Sequence, residues 1–510
     1  MAEHALAHPD RVALTMASGE EQTYGRLAER ANRLAHLFRQ AGLERGDGVV
    51  LMLPNSPEFF EVTWAAQQCG LYYTPVNTHL LKDEVRYIIE DSGAKALIVH
   101  SSMVDKAGIL SDPVGPVRLR LAVGGEVRGF GTYEDEMARV PCTAIPDPSQ
   151  GTEMMYSSGT TGRPKAVKRP LPGDGGSWAQ AAVEAGLRGQ HSMAANDVYL
   201  CPAPLYHSAP LVYTMAVMRV GATALVMDHF DPELALELIQ RHGVTHAQFV
   251  PTMFVRLLKL GVDVRSRYDI SSLRVVIHAA APCPVQVKDE MMQWWGPIIH
   301  EYYAGTEGFG GAFIGPQEWL AHRGSVGRPT NPIHIFDDGG QELAPGQTGT
   351  IYFEGGPDLE YLNDPLKTAS VRNEQGHRTL GDVGYLDEQG YLYLTDRAGF
   401  MVVSGGVNIY PQEVENVLVV HPRVADVAVF GIPSAEFGQE VKAVVQPLNW
   451  EEAGSDLAQE LMDHCRARLA AFKCPRSIDF EPELPRDPNG KLYKRRMVDR
   501  YWSGHDTRLL

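Results

Sequence analysis

The chain has 510 residues, with 46 Lys and Arg against 63 Asp and Glu and a formal net charge of −17. A chain of this length can bury large hydrophobic cores in several domains, so its stability needs neither disulfides nor structural metals. The acidic balance argues against general binding to nucleic acids or anionic membranes, because phosphate backbones and anionic lipids attract basic surfaces.

Strand and helix patterns alternate from the start of the chain. Short apolar runs predict strands at 49–53, 72–76 and 95–99, and apolar residues at helical spacing predict helices at 58–68 and 83–91. This order predicts parallel strand pairs joined by right-handed crossovers, which is the pattern of an α/β fold.

The same alternation returns further along the chain. The longest apolar stretch, residues 209–227, is interrupted by Arg219 and Gly221. A buried helix that turns into a strand explains this stretch better than a membrane span does. Strands are predicted at 223–227, 246–250 and 274–278, and a helix is predicted at 232–241.

The character of the chain changes after residue 329. Short β-rich runs between Gly and Pro turns, such as 349–354 and 390–394, predict a small β subdomain. Beyond residue 397, strand patterns at 424–430 and 441–446 and a helical pattern at 456–471 predict a compact α+β unit.

The predicted organisation is a large α/β N-terminal domain at residues 1–396 and a small α+β C-terminal domain at 400–510. The large domain is expected to combine two α/β layers with the β subdomain. The six cysteines lack C-x-x-C spacing, which argues against a zinc site or disulfides and for reduced thiols. Residues 1–10 lack the pattern of a signal peptide, and 502–510 are expected to fray. We predict a cytoplasmic protein with no integral membrane segment.

The segment 156–165, YSSGTTGRPK, is the strongest functional signal. Its glycines let the backbone curl so that amides and hydroxyls point at one anion, and Lys165 adds a positive charge. It is not a Walker A loop, because Lys165 is followed by Ala166 instead of Ser or Thr. A polar surface turn is the ordinary alternative, but the density of hydroxyls favours a polyphosphate. The predicted phosphate-binding residues are Ser157, Ser158, Gly159, Thr160, Thr161, Gly162 and Lys165.

This segment resembles the phosphate-loop signature of the adenylate-forming superfamily, which includes acyl-CoA synthetases, aryl-CoA ligases, beetle luciferases and peptide-synthetase adenylation domains. The resemblance extends from about residue 23 to residue 495 and is specific, because further motifs follow in the family's order. These are PLYH at 204–207, AAAP at 279–282, EYYAGTE at 301–307, TLGD at 379–382, SGGVNIYPQEVE at 404–415 and PRDPNGK at 485–491.

The resemblance implies that ATP and Mg²⁺ are used, and it gives roles to residues of these motifs. Tyr303 would stack on adenine, and Asp382 and Arg397 would reach the ribose. Thr306 would contact a phosphate, and Glu307 would bind Mg²⁺, which prefers oxygen ligands. Without the other motifs, Tyr303 would be a core aromatic, Asp382 a turn residue and Glu307 a solvated acid. The other residues expected at the nucleotide are Ala280, Ala281, Pro282, Glu301, Tyr302, Ala304, Gly305 and Tyr393.

The C-terminal domain resembles a mobile lid. The resemblance implies that Lys491 enters the active site and bridges the carboxylate and the α-phosphate, where a compact ammonium suits charge gathered around one point. The neighbouring Lys494, Arg495 and Arg496 are expected to be solvated surface residues.

Rotation of this domain about a hinge at 397–399 would open a tunnel for the pantetheine of CoA. Residue 399 is Gly, where the family usually has Asp or Lys, and Phe400 stands where an acid is common. Ala166 and Ala304 replace common glycines. These departures leave open whether both half-reactions run well. The residues expected to meet CoA are Ser404, Gly405, Gly406 and Lys473, although Lys473 fits a solvated position equally well.

The acyl site is expected to be apolar. The segment 205–210, LYHSAP, has no acid that would bind the α-ammonium of an amino acid, so amino-acid substrates are disfavoured. His207 is counted with the catalytic residues as a gate to the site, without a role in proton transfer. A medium or long aliphatic or a polycyclic acid is favoured, with aryl acids as the alternative. The predicted acyl-pocket residues are Phe249, Met253, Ala279, Gly308 and Gly310.

The predicted function is therefore that of an acyl-CoA synthetase, with a carboxylic acid, ATP and CoA as substrates. One alternative is an acyl-AMP ligase that delivers to a carrier protein, and another is a variant competent only for thioester formation from an acyl-adenylate. An acyl carrier protein and a second copy of the chain are further candidate partners.

Overall fold

The computed structural model describes residues 1–104, 115–157, 164–173, 179–397, 400–404, 407–434, 436–486 and 492–503. Within these ranges, nine strands form the largest sheet. Its central strands pair in parallel, and antiparallel strands close both edges. In spatial order the strands are Arg328–Pro329, Gly311–Ile314, Ile299–Ala304, Val275–His278, His246–Phe249, Val198–Cys201, Thr223–Val226, Val12–Met16 and Glu21–Thr23.

A second sheet, with six strands in the described part of the chain, is parallel throughout. The predicted strands at 49–53, 72–76 and 95–99 belong to it, so the predicted parallel strand–helix–strand units are confirmed. Residues of both sheets pack with helices Tyr24–Gln40 and Pro57–Gln68 into one hydrophobic core. In spatial order the strands are Gly131–Thr132, Leu119–Val123, Ala96–His100, Gly48–Met52, Tyr72–Pro75 and Thr152–Glu153.

The apolar stretch 209–227 forms a helix and then a strand, as predicted. Helix Ser208–Val220 ends at Gly221, whose φ of 95° is accessible to glycine because it has no Cβ. No helix in the described ranges is long and apolar enough to cross a membrane. The α-helices of the large domain are Ala2–Ala7, Tyr24–Gln40, Pro57–Gln68, Lys82–Ser92, Tyr133–Ala138, Ala179–Gly189, Ser208–Val220, Pro232–His242, Pro251–Leu258, Val262–Arg265, Val285–Trp295, Pro316–Ala321 and Pro365–Ser370.

The predicted β subdomain contains one antiparallel sheet and contributes one strand to a second, smaller antiparallel sheet. The strand predicted at 390–394 begins later, at Leu392, because Gly390 with a φ of 79° still belongs to the preceding turn. The strands of the larger sheet are Ile333–Phe336, Gly349–Phe353, Arg378–Leu386 and Leu392–Arg397. The strands of the smaller sheet are Glu360–Tyr361, Lys165–Lys168 and Met155–Ser157, of which the last two border the predicted phosphate loop.

The C-terminal domain is α+β, as predicted. Its helix predicted at 456–471 ends at Arg466, because the chain tightens into a turn in which Arg468 N–H donates to the carbonyl of Cys465 at 3.0 Å. The strands, in spatial order, are Val407–Ile409, Val402–Ser404, Gly438–Pro447 and Val424–Ser434, and Ser477–Phe480 pairs in parallel with Gly438–Pro447. The helices are Pro411–Val419, Ser455–Arg466 and Lys494–Trp502. The 3₁₀ turns of the whole described chain are Ser101–Met103, Trp450–Glu452 and Ala471–Lys473.

The two domains contact each other through polar groups. The ammonium of Lys259, in the large domain, donates to the backbone carbonyls of Val424 and Ala425, in the small domain. Burial lowers the pKa of Lys259 to about 8. Asn77 Nδ2 donates to the hydroxyl of Tyr493 at 3.3 Å. These contacts border a cleft between the domains.

Candidate active site

Residues of both domains line one cleft of about 2310 Å³. Its walls include the turn at 280–282, the segment 301–308, and Asp382 and Asp396 of the β subdomain. The opposite wall comes from the small domain and includes residues 483–486. Several sequence motifs that lie far apart along the chain therefore face one space.

The aromatic and acidic residues predicted at adenine and ribose lie side by side. Tyr303 is near the end of strand Ile299–Ala304, and its hydroxyl donates to Asp382 Oδ2 at 2.7 Å. The Tyr303 ring lies against Phe353, with ring centroids 6.1 Å apart. Asp382 is paired with Arg397 across two neighbouring antiparallel strands. The geometry thus places a flat ring, a carboxylate and the Arg397 backbone at one edge of the cleft.

Thr306 and Glu307 follow in the turn after this strand. The hydroxyl of Tyr361 donates to Glu307 Oε1 at 2.9 Å. The guanidinium of Arg169 donates to the backbone carbonyl of Thr306, and Arg169 Nη1 donates to Glu153 Oε1 at 3.3 Å. Arg169 was missed by sequence reasoning, although it stands four residues after Lys165.

Gly308 completes this turn with a φ of 67°. A Cβ at this position would lie 3.2 Å from Arg169 Nη2, so the turn favours glycine on both conformational and steric grounds. Gly310 has a different reason: a Cβ there would collide with Asn331 and Phe353. Its small size therefore serves the packing of the β subdomain, and space for an acyl chain is not needed to explain it.

Only the ends of the predicted phosphate loop can be described. Ser158, Gly159, Thr160, Thr161 and Gly162 lie outside the described residues.

The two ends of that loop are held together by antiparallel strands, with Ser157 opposite Lys165. Lys165 Nζ lies 2.5 Å from Asp364 Oδ2 and faces the cleft. The hydrogen bond from Lys165 lowers the pKa of Asp364 below its ordinary value. Asp364 was not predicted, because its helix lies far along the chain.

The turn at 279–282 follows strand Val275–His278. Ala280, Ala281 and Pro282 line the cleft, as expected of residues near a nucleotide. Ala280 has a φ of 77°, a left-handed conformation that is unfavourable for a residue with a Cβ. Ala279 differs from its predicted place in an acyl pocket: it is buried in the protein and does not line the cleft.

Glu301 lines the cleft, as expected of a residue near the nucleotide, but its carboxylate is paired within the protein. Its carboxylate lies 2.6 Å from Lys288 Nζ and 3.3 Å from His278 Nε2 in a buried cluster. Burial raises the pKa of Glu301, but the attraction of the basic neighbours prevails and holds it at about 2. Burial lowers the pKa of His278. This ion pair fixes the strand that carries Tyr302 and Tyr303.

Tyr302 and Tyr393 also have partners within the protein. The Tyr302 hydroxyl accepts a hydrogen bond from Gln248 Nε2 at 3.2 Å, and its ring stacks on Tyr213, with centroids 5.6 Å apart. Tyr302 lines the cleft. Tyr393 stacks on Tyr385 at 4.9 Å and does not line the cleft, which differs from the prediction.

The wall beyond Tyr302 is largely apolar, as expected of an acyl site. Helix Ser208–Val220 follows His207, whose ring lies against Tyr206 with centroids 4.7 Å apart. His207 lines the cleft together with Val212, and Met253 lines it from helix Pro251–Leu258.

Phe249 differs from its predicted position in the acyl pocket. It is fully buried and packs against Phe230, Phe254 and Trp295, with centroids 6.3, 5.8 and 5.5 Å away. An apolar strand residue can face either a core or a cavity, and the Phe249 side chain packs in an aromatic core.

The C-terminal loop predicted to carry the catalytic lysine is described only at its ends, and Lys491 lies outside the described residues. Arg486 and Leu492 form an antiparallel bridge, and both line the cleft. Arg486 Nη2 donates to Asp426 Oδ1 at 2.8 Å. The loop therefore starts and ends at the cleft.

Lys494 differs from its predicted solvated state. Its side chain is only 10% exposed, and its ammonium lies 2.7 Å from a Glu415 carboxylate oxygen and 5.3 Å from the centre of the Phe400 ring. Arg495 and Arg496 are exposed, as predicted. The buried ion pair and cation–π contact tie the loop to helix Pro411–Val419 and to the residue after the predicted hinge.

Of the four residues predicted for CoA, the two that the structure describes, Ser404 and Lys473, do not line the cleft. Gly405 and Gly406 lie outside the described residues. Ser404 ends strand Val402–Ser404 and does not line the cleft. Lys473 also lies away from it, with its ammonium 2.5 Å from Glu413 Oε2.

Comparison with known proteins agrees with this arrangement. The chain matches the family model for the AMP-binding enzyme over residues 1–357 and the model for its C-terminal domain over residues 413–491. The chain therefore belongs to the AMP-binding enzyme family, and with it to the adenylate-forming superfamily.

Relatives span nearly the whole chain. A feruloyl-CoA synthase from Amycolatopsis sp is 32% identical over 481 residues, which cover 93% of each chain. A fatty acid–[acyl-carrier-protein] ligase, ScoC, from Streptomyces coeruleorubidus is 29% identical and covers 98% of this chain and 95% of its own. The o-succinylbenzoate CoA synthetase from Bacillus subtilis, solved with its acyl-adenylate intermediate, is similar with a TM-score of 0.80, at 26% identity over 99% of this chain and 98% of that chain.

Proposed function

We propose that this protein is an AMP-forming acid–thiol ligase of the acyl-CoA synthetase type. In the first half-reaction, a substrate carboxylate attacks the α-phosphorus of ATP and gives acyl-AMP and pyrophosphate. In the second, the thiol of CoA attacks the acyl carbon and releases AMP. The observation that carries the proposal is the cleft itself, which joins the Tyr303–Asp382 pair, the Thr306–Glu307 turn and an apolar wall.

The first half-reaction needs positive charge where pyrophosphate departs. Lys165 faces the cleft at one end of the predicted phosphate loop. We assign Lys165 and the loop residues to the β- and γ-phosphates, and Lys491 to the forming bond between carboxylate and α-phosphate. The support for Lys491 is that both ends of its loop line the cleft.

The residues present fit a Mg²⁺ ion at Glu307. Its carboxylate faces the cleft and accepts a hydrogen bond from a neutral phenol, that of Tyr361, and a carboxylate oxygen is the kind of ligand that Mg²⁺ takes. The ion would neutralise phosphate charge. Thr306, beside it, would position the same phosphates.

The second half-reaction calls for another arrangement of the domains. The ends of the Lys491 loop line the cleft, whereas Ser404 and Lys473 do not. This contrast supports the proposal that the described arrangement serves adenylation. Rotation about residues 397–399 would then bring Ser404, Gly405 and Gly406 to the acyl-adenylate.

The acid is proposed to be hydrophobic. Val212 and Met253 belong to the wall beyond Tyr302, and no acid stands in the segment 205–210 to bind an ammonium group. His191 also lines the cleft, and burial lowers its pKa to about 3, so it adds no charge at neutral pH. Both a fatty acid and an aryl acid suit this wall, and the relatives include enzymes named for each class.

Pyrophosphate–ATP exchange with a panel of fatty, aryl and amino acids tests the proposal. We expect exchange with at least one hydrophobic acid and none with amino acids. The acids that support exchange are then offered with CoA or with a phosphopantetheinylated carrier protein, because a carrier-protein ligase is the main alternative. If thioester forms only on the carrier protein, the acceptor is the carrier and not CoA. If no acid supports exchange, adenylation by this protein is contradicted.

A further inference from the structure

A cluster of two histidines and a glutamate lies on one face of the larger sheet of the β subdomain. His334 is opposite Tyr352 on the next strand, and Tyr352 is opposite Thr379 on the strand after that. Glu354 stands two residues after Tyr352, and His377 stands two residues before Thr379. Because side chains alternate between the faces of a sheet, His334, Glu354 and His377 point to the same side.

The potential ligand atoms of these three residues converge. One atom from each lies within 4.8 Å of the other two. The two imidazole rings have centroids 4.3 Å apart, and His334 Nε2 is 3.3 Å from Glu354 Oε2. Both histidines are half-buried and Glu354 is exposed, so the three ligand atoms meet near the surface of the protein.

A fourth residue orients the first histidine. His334 Nδ1 lies 2.6 Å from Glu342 Oε1, close enough to donate a hydrogen bond to that carboxylate. In the neutral imidazole, such a bond places the proton on Nδ1 and leaves Nε2, the atom that faces Glu354, as an electron-pair donor. Carboxylates in this outer position recur behind histidines that bind metals, where they hold the ring and make it a better ligand.

We propose that His334, His377 and Glu354 form a binding site for a divalent transition-metal ion, for which Zn²⁺ is the best match. Two imidazoles and one carboxylate suit Zn²⁺, Cu²⁺ and Ni²⁺, whereas Mg²⁺ and Ca²⁺ take oxygen ligands. Three protein ligands at an exposed position leave room for water as a further ligand.

The site is separate from the nucleotide end of the cleft. His377 comes five residues before Asp382 along the chain, a distance of roughly 16 Å on an extended strand. None of the three ligands lines the cleft. The ion joins a residue of one strand, His334, to the residues directly next to the ends of two neighbouring strands, so its effect is to stabilise the sheet that also carries Asp382.

Metal binding by the full-length protein, stripped of metal by a chelator, tests this site. Titration with Zn²⁺ is followed by calorimetry, and titration with Co²⁺ by its visible absorption. We expect the His334→Ala/His377→Ala variant to lose one Zn²⁺ site, seen as a drop in affinity of about 100-fold or more. Glu342→Gln is expected to weaken the same site by about 10- to 100-fold, because the ring loses its orienting partner.

The matched control is His8→Ala/His36→Ala, which removes two imidazoles elsewhere and is expected to bind Zn²⁺ as the unmodified protein does. Thermal unfolding without metal shows that each variant is folded, and Glu354→Gln provides a third variant should removal of the histidines harm the sheet. Zn²⁺ should raise the unfolding temperature of the unmodified protein and of the control, but not of the ligand variants. Unchanged Zn²⁺ affinity in both the double-histidine variant and Glu354→Gln would overturn the proposal.

Discussion

The two domains contribute to the cleft in different ways. In the large domain, Tyr303 and Asp382 contact each other on neighbouring sheets of the same body. In the small domain, Arg486 and Lys494 anchor the two ends of a loop to Asp426 and Glu415 of that domain. Under the proposed rotation, Tyr303 and Asp382 would stay with the nucleotide, whereas the loop would move as part of the small domain. Changes in the large domain should therefore affect both half-reactions, and changes around the loop should affect mainly one.

The largest separation of the two half-reactions is expected for Lys491→Ala. We predict that pyrophosphate–ATP exchange falls by roughly 100- to 1000-fold, because the ammonium no longer offsets charge in the transition state. Thioester formation from supplied acyl-adenylate should be nearly unchanged. Rapid-quench assays of each step, with Arg495→Ala as an exposed control from the same basic segment, provide the measurement. Equal losses in both steps would contradict the prediction that changes around the small-domain loop affect mainly adenylation.

Asp382→Ala is expected to have a smaller but more even effect. Loss of a charged hydrogen-bond acceptor at the ribose should weaken ATP binding by about 10- to 100-fold and weaken acyl-adenylate binding by a similar factor. The apparent affinity for each ligand in its own half-reaction is the quantity to measure. Glu374→Gln, an exposed change on the approach to the same strand, serves as the control. A defect confined to one half-reaction would show that Asp382 does not stay with the nucleotide.

The smallest of the three effects is expected for Lys494→Met, and the small domain contains a matched control. Lys442 is also buried, with Asp479 Oδ1 2.5 Å from its ammonium and the Tyr501 ring centre 5.5 Å away. Asp479 and Tyr501, however, stand outside the segment 486–494 that contains and flanks the Lys491 loop.

We predict that Lys494→Met slows adenylation by roughly tenfold with little change in thioester formation, because the loop loses one anchor. Lys442→Met should lower thermal stability without separating the two steps. Rescue of adenylation by Lys494→Arg would show that the cation at this position matters. If the two methionine variants show the same changes in thermal stability and in the rates of both half-reactions, Lys494 stabilises the domain and does not position the loop.

Local patterns predicted the alternating strands and helices well. The apolar run at 49–53 is strand Gly48–Met52, and the helical spacing at 58–68 is helix Pro57–Gln68. Apolar runs and spacings are local properties of the sequence, and both elements are almost wholly buried. The motifs also predicted that Tyr303 and Asp382 share a site.

Long-range packing was harder to predict. Lys494 stands in a basic run that resembles a solvated surface, and its burial depends on Glu415 and Phe400 far earlier in the chain. The partner of Glu301 is Lys288, on a separate helix, so the motif alone could not reveal that its carboxylate is committed. The position of Phe249 was mispredicted for a similar reason, because hydrophobicity alone does not show whether a side chain packs in a core or lines a cavity.

The two carboxylates expected to meet ribose and Mg²⁺ share one feature. Tyr303 donates a hydrogen bond to Asp382, and Tyr361 donates one to Glu307. An enzyme that binds several substrates passes through a ligand-free state between turnovers. In that state, the two phenols provide hydrogen bonds to both carboxylates. An incoming ligand then displaces a neutral donor that can turn away from each of these two carboxylates.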